Sequence, residues 1–177
     1  MNLFKNLIVL GPLVYAVHHF EEQVIFNFIE WKLQYFEHSA AALSTEAILS
    51  ILVCILVAFT FLHLVKNNRA SAYIILYILF AIQIINAIYH IFFSLYFSDF
   101  SPGTITAVLL YLPVNYLIVR AAFKEGFLKS YMEYACIALL GTATFILFEL
   151  YGPVVIGISI VSSLMYYIWF SNRLTAA

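Results

Sequence analysis

Charge is what this chain lacks most. Asp, Glu, Lys and Arg make up 10% of its 177 residues, where a soluble domain carries about 25%. Apolar residues make up 65%, where about 45–50% is usual. That balance excludes an ordinary water-facing surface and makes a lipid bilayer the expected solvent and partner. The formal net charge of −1 leaves no basic footprint, so no nucleic-acid partner is expected. Cysteine is nearly absent too. Cys54 and Cys136 stand alone in apolar segments, which excludes a disulfide framework or a cysteine zinc motif and leaves inert packing as their expected role. No linker or low-complexity tract interrupts the chain, and its length suits one compact unit, a single transmembrane domain over 1–177. His-Glu-x-x-His and Gly-x-Ser-x-Gly are both missing, which excludes ordinary zincin and serine-hydrolase chemistry. The first apolar stretch has no small-residue cleavage site after it and is expected to be retained as a span.

Long apolar runs are what the chain has. A helix needs about 20 mostly apolar residues to cross the hydrocarbon core. Six stretches qualify, at residues 4–26, 43–65, 70–97, 102–123, 131–150 and 153–170. The expected fold class is all-α, a polytopic transmembrane helical bundle of about six spans. Gly11-Pro12 should kink the first span. Ser101 is expected to cap the fourth, with Pro102 in its first turn. Tyr151-Gly152-Pro153 reads as a short turn joining the last two into a helical hairpin. Residues 24–37 mix aromatic and charged side chains, which suits a helix lying in the outer interface with Trp31 and Tyr35 at headgroup level. Lys5, Lys66, Arg69, Arg120, Lys124, Lys129 and Arg173 all fall at one set of helix ends, and only Lys32 at the other. The excess marks the cytoplasmic side. An integral protein of a bacterial cytoplasmic membrane with both termini cytoplasmic is expected.

Against this background one short stretch stands out: His18-His19-Phe20-Glu21-Glu22. Ionisable groups this close to hydrocarbon are costly unless they pair, bind something or reach water. With alternating span directions, His18 to Glu22 lie near the outer end of the first span. Glu46, Asn86, His90 and Glu149 also fall in the outer half of theirs, and Asn115 lies near mid-depth. His18 and Glu22, four residues apart, share a helix face, and Glu21 nearly does; His19 points about 100° away. Asn86 and His90 share a face in the same way. Imidazole and carboxylate ligands of this kind suit zinc, iron or manganese. The expected metal ligands are His18, Glu22, Glu46 and His90, and the expected cofactor is a divalent metal, zinc or iron.

Glu21 is then the candidate general base, or a partner to a ligating histidine. Asn86, Ser101, Gly103, Asn115 and Glu149 are candidates to support the ligands or touch substrate. Plainer readings stand beside these. Asn86 and His90 can be interhelical hydrogen bonds, Glu46 can answer a helix dipole, and Glu149 can be an interfacial residue. His63 reads as a packed or solvated histidine. The amides at Ser101-Pro102-Gly103 can simply start a helix, or can hold an anion such as a lipid phosphate or carboxylate.

His18-x-x-Glu21-Glu22 resembles the signature of the HXXEE family of integral membrane proteins. Asn86-x-x-x-His90, then Ser101-Pro102-Gly103 with Thr106, then Pro113, resemble that family's later motifs in the same order. Phe100 stands where the family often has a tyrosine. The resemblance spans about residues 15–120 and implies a membrane setting and a shared polar site. It implies no established activity, since the family is described as a possible membrane enzyme.

The expected function is a metal-dependent membrane enzyme acting at the non-cytoplasmic face on a lipid-like or small amphipathic substrate, by metal-activated water or metal-assisted chemistry. A small transporter or proton- or cation-binding membrane protein, and a non-catalytic membrane partner, are the alternatives.

Overall fold

The computed structural model describes the backbone of residues 3–36 and 45–175 and the side chains of 3–36 and 47–170. Among these residues there is no strand. Seven helices follow one another: α1 (Leu3–Ile25), α2 (Phe28–Tyr35), α3 (Thr45–Lys66), α4 (Arg69–Tyr96), α5 (Thr104–Lys124), α6 (Tyr131–Tyr151) and α7 (Val154–Thr175). Five of them, α1 and α3 to α6, are long and apolar enough to cross a membrane, and α7 adds a shorter apolar stretch, Val154–Phe170. The all-helical bundle expected from the sequence is therefore present.

The first helix breaks at Val9, between segments Leu3–Ile8 and Leu10–Phe20. Pro12 has no N–H to return to the carbonyl four residues earlier, so the ladder fails where Gly11-Pro12 predicts a kink. Gly11 also allows close packing: a Cβ there would lie 2.8 Å from Leu79 Cδ2 of α4. The fourth span begins later than expected. Ser101 does not cap it, and α5 starts at Thr104, with Gly103 before it at φ +100°. Its N-terminal amides are taken by a side chain from another helix, described below.

The core is a cluster of Leu, Ile, Ala and aromatic side chains centred on α4, which packs against α3, α5, α6 and α7. Cys54 and Cys136 do not share in it. Both are exposed, unpaired thiols on outward-facing helix surfaces, so the packing expected of them is not observed. His63 is packed as expected: it is fully buried, its Nδ1 3.0 Å from Ser71 Oγ and its ring edge-on to Phe4. The basic residues Lys5 and Arg69 meet backbone carbonyls of Leu64 and Phe127 at one end of the bundle.

At the other end α2 crosses the bundle. Asn27 caps it by accepting a hydrogen bond from Glu30 N. Trp31 is buried rather than standing free at the surface, and its indole donates to Asp99 Oδ2 at 3.0 Å. Tyr35 donates to the same oxygen at 2.9 Å. This hydrogen bond holds the Tyr35 hydroxyl pKa above its ordinary value, because deprotonation would set two anions together. Lys32 reaches Glu149 on α6 at 2.7 Å. The three contacts tie α2 to the α4–α5 connection and to α6.

Candidate functional site

The site grows from the C-terminal parts of α1 and α4 and the start of α5. In each helix a π-helical turn sits beside the polar residues: Glu21–Ile25 in α1, Phe80–Ile84 in α4 and Ala107–Tyr111 in α5. Such turns widen the helix locally and recur at functional sites. Here they flank His18, Asn86 and Thr106.

Three side chains converge at the centre. Glu22 Oε1 lies 3.3 Å from His18 Nε2 and 2.9 Å from His90 Nε2. One ligand atom from each of His18, Glu22 and His90 lies within 4.8 Å of the others, and all three residues are buried. Behind them each imidazole is held by a hydroxyl. His18 Nδ1 is 2.8 Å from Thr106 Oγ1, and His90 Nδ1 is 3.0 Å from Ser101 Oγ. Thr106 Oγ1 donates onward to the Gly103 carbonyl at 3.3 Å, so it accepts from His18 and assigns the proton to Nδ1. His18 Nε2 therefore presents a lone pair, 3.0 Å from Asn86 Nδ2. His90 Nε2 is close to Glu22 but out of line for a hydrogen bond, and it has no other partner. A buried, unpartnered ring nitrogen of this kind is costly.

Glu21 faces a different task from its neighbour. Its carboxylate accepts backbone N–H bonds from Gly103 at 3.1 Å, Ile105 at 3.1 Å and Thr106 at 2.7 Å. These are the orphan donors at the start of α5, where negative charge is also favoured by the helix dipole. The anion held by the amides at the start of α5 is thus the chain's own, while the Ser101 amide donates to Ser94 Oγ at 2.9 Å. Gly103 is required twice over. Its φ of +100° is unfavourable for other residues, and a Cβ would lie 2.8 Å from His18 Cε1, 3.0 Å from His90 Cε1 and 3.1 Å from Glu22 Cγ.

The remaining candidates separate. Asn115 is away from the cluster: it donates to Gln83 Oε1 at 2.8 Å and to the Tyr111 carbonyl at 2.9 Å, while Gln83 donates to the Gly11 carbonyl at 2.7 Å. That is a closed amide network joining α1, α4 and α5, a structural one. Glu149 is the partner of Lys32. Glu46 lies in the first turn of α3, and its side chain falls outside the described residues.

Two residues at the site were not singled out from the sequence. His19 Nδ1 lies 3.7 Å from Glu22 Oε2, so the second carboxylate oxygen also faces an imidazole. Helical spacing points it away from His18, but its three-residue spacing from Glu22 was a signal in the sequence for this contact. Tyr111 lays its ring 4.3 Å from that of His18, and its buried hydroxyl has no hydrogen-bond partner. It is one of 13 tyrosines, and no sequence signal separates it from the packing ones.

A family model described as "Protein of unknown function with HXXEE motif" matches residues 9–118, more than half of the chain. The chain belongs to this family. The match covers every residue of the cluster, together with the hydroxyls that hold it. No curated protein and no solved structure matches. In this HXXEE protein the first letter of the motif, His18, and the last, Glu22, meet at the centre of the site, and the fourth, Glu21, anchors α5.

A cavity of about 250 Å³ adjoins the cluster. Glu22, His19 and Asn86 form part of its wall, and α3, α4, α6 and α7 supply most of the rest.

Proposed function

We propose that His18, Glu22 and His90 bind a divalent metal ion, zinc or iron, and that the protein is a metal-dependent membrane enzyme. One observation carries this reading: two imidazole Nε2 atoms converge on a single carboxylate oxygen, with both Nδ1 atoms held by hydroxyls. Ligands at about 2.1 Å from a tetrahedral ion sit about 3.4 Å apart. The 3.3 Å separation is near that figure and the 2.9 Å one is shorter, and His90 Nε2, which has no hydrogen bond, would gain a partner. Two histidines and one carboxylate suit catalytic zinc and non-haem iron alike, and each leaves a coordination position for water or substrate. The hydroxyls of Thr106 and Ser101 fix the ring orientation, as groups behind metal ligands do. Asn86 shares the His18 lone pair and must swing aside for ligation, which frees its amide for water or substrate.

The bound ion would supply Lewis acidity and a water that ionises near neutral pH. The chain's own residues would do the rest. His19 lines the cavity beside Glu22 and is the group placed to carry a proton; Glu21, with both oxygens on backbone amides, is not. The substrate is lipid-like or amphipathic, reached from the non-cytoplasmic half, with both termini in the cytoplasm. A transport path is disfavoured because Gln83 and Asn115, two amides deeper in the bundle, are engaged with each other and with the Gly11 carbonyl.

Metal analysis of the purified protein tests the reading. About one equivalent of zinc or iron is expected, lost in His18→Ala and His90→Ala variants that remain folded. Metal-free, folded wild-type protein after growth with both metals, taking up neither on addition, would sink it.

A further inference from the structure

The cavity beside the cluster has a long axis and a polarity gradient. Its wall on α3 runs from Ile48 to Phe59, and on α7 from Val155 to Ser163, with Gly152 and Pro153 in the turn before it. Eleven residues of helix rise about 16 Å, roughly half of a hydrocarbon core about 30 Å thick. The charged and imidazole groups of the wall, Glu22, His19, Lys32 and Glu149, gather at one end. The rest is mainly Ile, Leu and Phe. Four hydroxyls line the deeper part: those of Tyr77 and Thr144 bond each other at 2.8 Å, and Ser159 and Ser163 stand on α7. Across the polar end lies α2, which contributes Phe28, Ile29 and Lys32. Lys32 bridges to Glu149 on the far side at 2.7 Å, with both side chains partly exposed.

From this the geometry points to a long-chain lipid as the ligand: one alkyl or acyl chain lies in the cavity, with its polar group beside Glu22 and His19. The placement of the polar group rests on the proposed metal site; the chain site itself does not. Three observations select this occupant. The depth equals one leaflet's worth of hydrocarbon. Charged and imidazole groups are confined to the end that holds Glu22. Most of the remaining wall is Ile, Leu and Phe, a surface that matches an alkyl chain. The Lys32–Glu149 pair lies at the polar end and joins α6 to the short helix α2. A free fatty acid and one chain of a phospholipid share this chemistry.

The test uses the full-length protein in lipid nanodiscs and an eighteen-carbon fatty acid bearing a diazirine at its methyl end. A second arm uses a phosphatidylethanolamine with the same chain. After irradiation the labelled peptides are mapped by mass spectrometry. Labelling is expected near Phe59 and Ile160, and Ile55→Trp and Ile160→Trp, on opposite walls, should each lower it several-fold. Ile158→Trp, on the outward face of α7, should not. Two wall variants keep the test open if one does not fold. Groove labelling by the acid, the phospholipid or both supports the chain site, and the productive arm names the source. Labelling unchanged in both wall variants, or confined to outward faces such as those of Leu139 and Met165, overturns it. Metal content measured on the same samples separates the two readings, since the wall variants should keep their metal. Groove labelling of metal-free protein would leave the chain site standing without the metal reading.

Discussion

Glu22 Oε1 lies 2.9 Å from His90 Nε2, and the two atoms make no hydrogen bond. Glu21, the preceding residue, has both oxygens on backbone amides of α5. Adjacent carboxylates therefore do unlike work, one open to a cation and one closed around a helix end. Paired substitutions should separate them. Glu22→Gln is expected to fold and lose the metal. Glu21→Gln is expected to keep the metal ligands but lower stability by about 1–3 kcal/mol, because charge-assisted bonds to buried amides are lost. Thermal melts with metal analysis check both; metal loss in Glu21→Gln alone would reverse the assignment.

The hydroxyls behind the histidines should matter without touching the ion. Ser101→Ala and Thr106→Val are each expected to weaken metal affinity about 10–100-fold, measured by competition with a chelator of known affinity. Unchanged affinity in both would mean that the imidazoles are oriented by packing alone.

Gly103→Ala combines an unfavourable φ of +100° with a Cβ only 2.8 Å from His18. A loss of about 1–3 kcal/mol in stability is expected, together with reduced metal content. Gly126→Ala is the control, since it shares a positive φ of +76° but has no atom within 4 Å of the added carbon. It should lose stability without losing metal.

The amide network of Gln83 and Asn115 predicts a purely structural phenotype. Asn115→Ala should destabilise by about 1 kcal/mol, with metal content and proton-transfer chemistry intact. A selective loss of metal would draw Asn115 back towards the site.

The anchor of α2 has a pH signature. The Tyr35 pKa is raised in the folded state, so the protonated, donating form is favoured by folding. Its contribution is fully present below about pH 10, the ordinary tyrosine value, and is lost as pH rises through the folded value. Proteolysis or hydrogen exchange of residues 28–35 should accelerate only at strongly alkaline pH. Asp99→Asn should accelerate it at neutral pH and remove that dependence. Orientation is checked separately: in a Cys54→Ser, Cys136→Ser background, Leu33→Cys and Lys66→Cys should label from opposite sides.

Much of this protein follows from local sequence. Composition alone specifies helices in lipid, because 65% apolar residues in runs of about 20 satisfy their backbone only as helices there. The break near Gly11-Pro12 and the α6–α7 turn at Gly152 follow from single residues with fixed backbone demands. The shared face of His18 and Glu22 is a matter of helical period. What the sequence could not decide is which groups meet across helices. Ser101 reads equally as a cap or a histidine partner until α4 brings His90 to it. Asn86 and Asn115 are both amides in apolar spans; one meets His18 and the other Gln83. The distinct roles of Glu21 and Glu22 depend on where the start of α5 lies against α1, and three π-helical turns alter each helix's register beside the site. Helical period determines which side chains share a face, but only packing decides what that face touches.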